Sequence, residues 1–175
     1  MQDLFEKAKH IRLVIFDVDG VLTSGRLFYS QHGTELKDFH AHDGLGMKML
    51  QQSGVQIAII TARESAAVAK RMQDLGIAHV YQGQRDKLSA YEDLKKKLNL
   101  VDRQIAYLGD DLPDLPVLRR VGLSATVANA PLVIRDHVLW ITEAKGGEGA
   151  AREFCELIMR AQETLSSAIE SYLQR

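Results

Sequence analysis

The sequence predicts an α/β fold: a central parallel β-sheet flanked by helices, Rossmann-like in its strand–helix alternation. Two observations carry this prediction. Short β-branched runs alternate with helical patterns along the 175 residues, which is how βαβ units build a parallel sheet covered on both faces. Acidic and other polar side chains then recur just beyond the strands, where open parallel sheets bind their ligands.

The apolar run Leu13-Val14-Ile15-Phe16, entered from Arg12, is the first strand, predicted over 12–16. Residues 26–30 and 35–40 flank Gln31-His32-Gly33-Thr34, which predicts a β-hairpin whose glycine takes the positive φ of the turn. This hairpin is a flap projecting from the mouth of the sheet after strand 1. The second strand covers 55–60 and leads into a helix over 64–75 that Gly76 closes, glycine being the residue that tolerates a left-handed cap. His79-Val80-Tyr81 reads as a third strand. A helix over about 86–98 carries Leu88, Tyr91, Leu94 and Leu98 on one stripe, and 104–108 supplies the fourth strand. Further short strands are expected near 122–125 and 138–141. From 149 to about 173, Phe154, Leu157, Ile158, Ala161, Leu165 and Ile169 are spaced for one face of a long helix. No linker, repeat or low-complexity segment interrupts the pattern. One domain over 1–175 is therefore expected, within the usual span of about 100–200 residues.

Apolar residues make up 46% and charged residues 26%, the balance of a globular protein. With 22 basic and 23 acidic residues the net charge is -1, so no global field draws the chain to nucleic acid or an anionic membrane, and neither is expected as a partner. The single cysteine, Cys155, has no internal partner and reads as a small buried apolar residue in a helix. The first nine residues are partly acidic and lack the apolar centre of a secretory signal. No run approaches the roughly 18 apolar residues that span a bilayer, and a cytoplasmic location is expected.

The strongest local signal is Asp17-Val18-Asp19-Gly20-Val21, directly after the first strand. Two carboxylates at a strand end repel one another, and a hard divalent cation such as Mg²⁺ relieves the repulsion. Taken alone, the motif reads equally well as a solvated Asp-Gly turn. The other strand ends change the balance. The second ends in Thr61-Ala62-Arg63, the fourth in Gly109-Asp110-Asp111-Leu112-Pro113-Asp114, and Lys87 opens the helix between strands three and four. A helix start disfavours a cation, so an anionic partner for Lys87 is expected. Thr61 is alternatively a helix cap, and Asp111 with Asp114 are alternatively favourable charges at a helix N-terminus.

These four ordered motifs resemble those of the haloacid dehalogenase superfamily. The resemblance implies that Asp17 is the nucleophile that attacks phosphorus, and that Asp19 protonates the leaving oxygen and then deprotonates water. It implies that Mg²⁺ is held by Asp17, the Asp19 carbonyl and Asp110, that Thr61 and Lys87 hold the phosphoryl oxygens, and that Asp111 and Asp114 are supporting residues. Physical chemistry agrees, because a phosphoryl group in transfer spreads negative charge over three oxygens, which a cation, an ammonium and a hydroxyl stabilise together. A dehalogenase attacking carbon has no leaving oxygen to protonate, so Asp19 favours phosphate ester hydrolysis.

Only the hairpin, about 24–40, lies where superfamily members insert a cap domain, and 87–110 holds only one helix and one strand. The resemblance is therefore to the capless subgroup, which implies a homotetramer with hairpins meeting at its centre. It extends to Asp43-Gly44-Leu45-Gly46, Tyr81-Gln82-Gly83 and the run from Gly146 to Glu153, and implies a small sugar-acid phosphate as substrate. Ala62 stands where that subgroup usually has glycine. Arg63 and Arg71 are substrate-binding candidates, since guanidinium forks match a carboxylate. On one helix they would be about 80° apart around its axis. The loop 146–149 either folds over the active site or simply starts the last helix. His32, His40 and His42 have no zinc-site spacing, and no nucleotide-binding G-x-x-x-x-G-K-[ST] occurs. Three alternatives stay open: a phosphatase for a nine-carbon sugar-acid phosphate, a phosphorylation receiver, and a non-catalytic assembly subunit.

Overall fold

The computed structural model describes residues 2–174. Among them, six parallel strands form one sheet: β1 (Leu13–Phe16), β4 (Gln56–Ile60), β5 (His79–Tyr81), β6 (Ile105–Leu108), β7 (Leu123–Thr126) and β8 (Trp140–Ile141). The order is β5-β4-β1-β6-β7-β8. A separate two-stranded ribbon, β2 (Phe28–Tyr29) with β3 (Glu35–Leu36), is the hairpin after strand 1. Helices α1 (Gln2–Lys9), α2 (Ala41–Gln52), α3 (Ala66–Asp74), α4 (Lys87–Lys97), α5 (Leu115–Leu118), α6 (Leu132–Arg135), α7 (Ala150–Ala161) and α8 (Leu165–Leu173) complete the fold. No separate cap domain is present among the described residues.

All side chains of β1 and β6 are fully buried, as expected of parallel strands covered on both faces. Phe154 of α7 meets Phe16 edge-on at 6.3 Å and stacks on Trp140 at 5.8 Å, tying this helix to both the middle and the edge of the sheet. Register then places the chemistry. Phe16 lies opposite Ile59 on one side and Leu108 on the other, so Asp17, Thr61 and Asp110 leave the sheet along one edge. The Asp17 N–H still donates to Leu108 O at 3.0 Å, extending the pairing to the first residue of the loop.

Gly33 and Gly76 take the positive φ expected of them, +78° and +70°. Three expectations are corrected. The long C-terminal helix is two helices, because the chain breaks at 162–164. Glu163 adopts φ +58°, and the Gln162 amide leaves the helix surface to donate to Ala8 O and Ile11 O at 3.1 and 2.8 Å. Full burial therefore ends at Ala161; beyond the break Leu165 and Ala168 pack against the core only in part, and Ile169 is 45% exposed. The hairpin strands are two residues each, shorter than expected, since the ribbon has no second layer to extend against. Helix α3 begins at Ala66 and not at 64, because the Ser65 N–H donates to the Gln82 side chain at 2.8 Å and holds Ser65 extended. The short α1, α5 and α6 carried no signal that the sequence reading used. Among the described residues no helix is long and apolar enough to cross a membrane.

Candidate active site

The loop after β1 brings Asp17 to the sheet edge with 6% of its surface exposed. Lys87, the first residue of α4, points its ammonium 2.9 Å from Asp17 Oδ1 and 2.6 Å from Asp114 Oδ1. Burial pulls the Lys87 pKa down, but the two carboxylates outweigh it and the net shift is upward, so the ammonium stays charged. The anionic partner expected for a cation at a helix start is thus present twice. Asp114 is fully buried and saturated. Its Oδ1 accepts from Lys87 and from the Tyr107 hydroxyl at 2.6 Å each, and its Oδ2 accepts the Asp110 and Asp111 N–H groups at 2.9 and 3.2 Å. It is a brace that fixes Lys87 and the Asp110 loop together.

Oxygen atoms of Asp17, Asp110 and Asp114 lie within 4.8 Å of one another. Burial, reinforced by the neighbouring carboxylates and only partly offset by Lys87, pushes the pKa of Asp17 up to about 7 and that of Asp110 up to about 8. Asp110 Oδ1 is buried and has no hydrogen-bond partner among the described residues. Crowded carboxylates with an unsatisfied buried oxygen are what a hard divalent cation satisfies, so the residues fit Mg²⁺. Because both Asp114 oxygens are engaged, Asp17 and Asp110 are the available side-chain ligands. Gly20 packs so close to the Asp110 carboxylate that a Cβ there would overlap Asp110 Oδ2.

Asp19 is turned toward the hairpin. Its Oδ1 accepts a short hydrogen bond from Lys37, whose ammonium also lies 2.6 Å from Glu35 Oε1. Arg63 pairs with Glu35 Oε2 and donates to the Tyr29 hydroxyl at 3.3 Å, with its Nε 4.0 Å from Asp19 Oδ2. Burial opposes charge on Lys37, yet Asp19 and Glu35 raise its pKa overall. Thr61 is 2% exposed at the end of β4. It is not a helix cap, because Ser65 occupies that position of α3.

Several sequence expectations need correction. Arg63 precedes α3, so it does not share a helix with Arg71. Arg71 lies in the last turn of α3, where its Nη2 is 3.4 Å from His40 O and its guanidinium sits 5.9 Å from the Phe39 ring. Among the described residues the two arginines share no hydrogen-bond or ion-pair partner. Asp111 is exposed and caps the short turn Leu112–Asp114, accepting the Leu112 N–H at 2.8 Å in a reciprocal capping box with Asp114, whose Oδ2 accepts the Asp111 N–H at 3.2 Å; it sits at a helix N-terminus, as one of its two readings has it. His40 caps α2 by accepting the His42 N–H at 3.2 Å. Ala62 fits, since Asn99 and Glu163 are the only non-glycine residues with positive φ among those described. The loop 146–149 packs on the Asp17 loop, with the Gly147 N–H donating to Val21 O at 2.9 Å. Sequence reading missed Lys37, Glu35 and Tyr107. A tyrosine inside an otherwise apolar buried strand was the one available signal, because a buried hydroxyl needs a partner.

A central strand that ends in a buried aspartate, a buried lysine–carboxylate pair and an acidic loop on the neighbouring strand form the kind of site found in hydrolases that work through carboxylates. A family model for haloacid dehalogenase-like hydrolases matches residues 73–154, and the chain belongs to that family. The 3-deoxy-D-manno-octulosonate 8-phosphate phosphatase of Yersinia pestis is 45% identical over 95% of this chain and 89% of its own length. A probable YrbI family phosphatase from Pseudomonas syringae is similar in structure, with TM-score 0.97 and 55% identity over 99% of this chain and 98% of the other. The Moraxella catarrhalis 3-deoxy-D-manno-octulosonate 8-phosphate phosphatase, solved with magnesium, phosphate and KDO, gives TM-score 0.96 and 46% identity over 98% of this chain and 99% of the other.

Proposed function

We propose that this chain is a magnesium-dependent phosphatase that hydrolyses 3-deoxy-D-manno-octulosonate 8-phosphate to the free sugar acid and phosphate, a step of lipopolysaccharide biosynthesis. The observation that carries the chemistry is the buried Asp17 carboxylate 2.9 Å from Lys87, beside the unpartnered oxygen of Asp110. The substrate follows from relatives of that name that are 45% identical over nearly the whole chain.

Asp17 attacks phosphorus, forming an aspartyl phosphate as the bond to the sugar oxygen breaks, and Asp19 delivers a proton to that oxygen. Asp19 then takes a proton from water, whose oxygen attacks phosphorus and frees Asp17 and phosphate. Lys87 and Thr61 hold the phosphoryl oxygens, with Lys87 fixed in place by Asp114. Mg²⁺, held by Asp17, Asp110 and the Asp19 carbonyl, neutralises charge on the phosphoryl group. Arg63, at the hairpin beside Asp19, meets the substrate carboxylate, and Arg71 belongs to the same recognition if a neighbouring subunit brings it there.

The chain is read as one domain with a single buried cluster extending from Ala8 to Ala161. Four copies are proposed to assemble through their hairpins. Leu27, Phe28, Tyr29 and Leu36 are 49%, 43%, 58% and 56% exposed, an apolar flap that a capless site needs a neighbour to cover. A cytoplasmic location goes with this reading, since relatives of that name act on a small sugar-acid phosphate.

A phosphate-release screen over sugar phosphates with Mg²⁺, run beside Asp17→Asn, tests the reading. Turnover is expected with the eight-carbon substrate and not with the variant. An active Asp17→Asn protein defeats the mechanism, and a preference for a nine-carbon 9-phosphate defeats the substrate. Light scattering decides the tetramer.

A further inference from the structure

The glycine loop ahead of α7 is fastened to the site from several directions. Gly147 N–H donates to Val21 O and Gly146 N–H to Asn129 Oδ1, both at 2.9 Å. The Glu143 and Ala144 N–H groups donate to the Glu153 carboxylate at 3.0 Å. Gly146 lies directly on the Gly20 backbone, and Gly20 lies on the Asp110 carboxylate; a side-chain carbon at either glycine would overlap its neighbour. A displacement of this loop therefore reaches Asp110, since a close-packed stack has no void to absorb it.

What holds the loop is α7, and α7 begins without a cap of its own. Its N-cap residue is Gly149, which has no side chain to satisfy the free amides of the first turn. Asp43, on α2, takes that place from across the helix interface. Its Oδ1 accepts the Arg152 N–H at 2.8 Å; burial raises its pKa, and the N–H groups of Arg152, Gly149 and Ala151 offset that only in part. A carboxylate at this position complements both the amides and the helix dipole. The approach is possible because α2 carries Gly46, where a Cβ would lie 2.9 Å from Arg152 Cα. Asp43 is only 2% exposed and its Oδ2 has no hydrogen-bond partner among the described residues. A buried acid is a costly way to join two helices that apolar residues would join unaided. Its placement makes sense as a clamp on the backbone that follows the glycine loop.

We propose that Asp43 is a positioning residue for phosphoryl transfer: by capping α7 it sets the glycine loop, which seats Gly20 against Asp110 and fixes the loop carrying Asp17 and Asp19. This role rests on the hydrolase reading of the site. Asp43 itself touches neither the nucleophile nor its lysine.

The test compares Asp43→Ala, Asp43→Asn and Ile158→Ala in the full chain, Ile158 being fully buried in the same helix. Three readouts are taken: amide hydrogen exchange over 18–24 and 143–152 without metal, Mg²⁺ affinity by calorimetry, and kcat and KM well below the melting temperature. Asp43→Ala is expected to speed exchange in both segments and weaken Mg²⁺ binding, each about ten-fold. It should lower kcat by about 10- to 100-fold with little change in KM, the scale expected of a small displacement near the reacting groups. Asp43→Asn keeps an acceptor for Arg152 and should recover most of this. Ile158→Ala should lower the melting temperature while leaving kcat and loop exchange nearly unchanged. The proposal is overturned if Asp43→Ala keeps wild-type loop exchange and kcat, or if Ile158→Ala loses as much kcat. Should Asp43→Ala fail to fold, Asp43→Ser is read by the same criteria. A wild-type protein without phosphatase activity would defeat the hydrolase reading, while exchange and Mg²⁺ binding would still decide whether Asp43 sets the loop.

Discussion

The two sides of the site are built by opposite means. On the metal side, Asp17, Lys87, Tyr107 and Asp114 are buried and locked by contacts of 2.6–2.9 Å. On the hairpin side, Asp19, Lys37, Glu35 and Arg63 form a chain of ion pairs, ending at an Arg63 side chain that is 41% exposed. The first arrangement holds reacting groups still in a low-dielectric setting, where each charge acts strongly. The second is carried by a short ribbon in contact with solvent. Under the proposed reading the nucleophile and the phosphate cradle are thus held rigidly, while the acid–base residue Asp19 is placed on the side that meets solvent.

The largest effect is expected at the nucleophile. Asp17→Asn should lower kcat by about four orders of magnitude or more while leaving the melting temperature of the metal-free protein essentially unchanged, as read by phosphate release and thermal melting. A fall in both would mean that the metal side is a structural ion cluster and not a catalytic one.

Lys87→Met comes next. It leaves Asp17 and Asp114 without their cation, and breaking a buried pair in this way costs about 3–5 kcal/mol. Denaturant melting should show that loss, together with a drop in kcat of about 100-fold or more. Metal removal gives a subtler contrast. Asp17 and Asp110 titrate near 7 and 8, above the ordinary carboxylate range, so the metal-free folded protein retains protons that the unfolded chain has already released. Its stability therefore falls as pH rises from about 4 to 8, and Mg²⁺ should raise the melting temperature more at pH 8 than at pH 5.5. Glu35 behaves in the opposite sense. Lys37 and Arg63 hold its pKa below the usual range, so its contribution is complete above that range, is lost only in acid, and adds nothing to the slope between pH 5.5 and 8.

The smallest effect is expected from Glu35→Gln. A partly buried network with one end in solvent is worth about 1 kcal/mol, so stability should move little, and kcat/KM should change by less than about ten-fold. A loss as large as that of Lys87→Met would erase the distinction between the two sides and make the hairpin part of the reaction machinery.

Legibility in the sequence followed the same division. Asp17, Asp110 and Thr61 are legible because each stands just beyond a strand, and parallel pairing leaves strand ends little choice of edge; Lys87 is legible because it opens the helix between two such strands. Lys37 was not readable. It lies in a hairpin whose pattern indicates only a turn, and nothing local distinguishes an inward-pointing lysine from a solvated one. Arg63 was placed on a helix because the apolar stripe of α3 says little about its first turn, which is decided by a hydrogen bond from Ser65 to the distant Gln82. The C-terminal stripe also continued in sequence after the chain had turned away at Glu163, because helical spacing alone carries no information about a long-range tie such as Gln162 to Ala8 and Ile11.

The sequence by itself determined the sheet, its active edge and the residue types gathered there, since strand periodicity and the right-handed βαβ connection restrict where those loops can go. Tertiary structure alone decided that Asp114 is a brace, that Lys37 faces Asp19 and that Asp43 caps a helix 109 residues away in the chain. Those roles depend on distances of about 3 Å between segments remote in sequence, and contacts of that kind exist only once the core has closed.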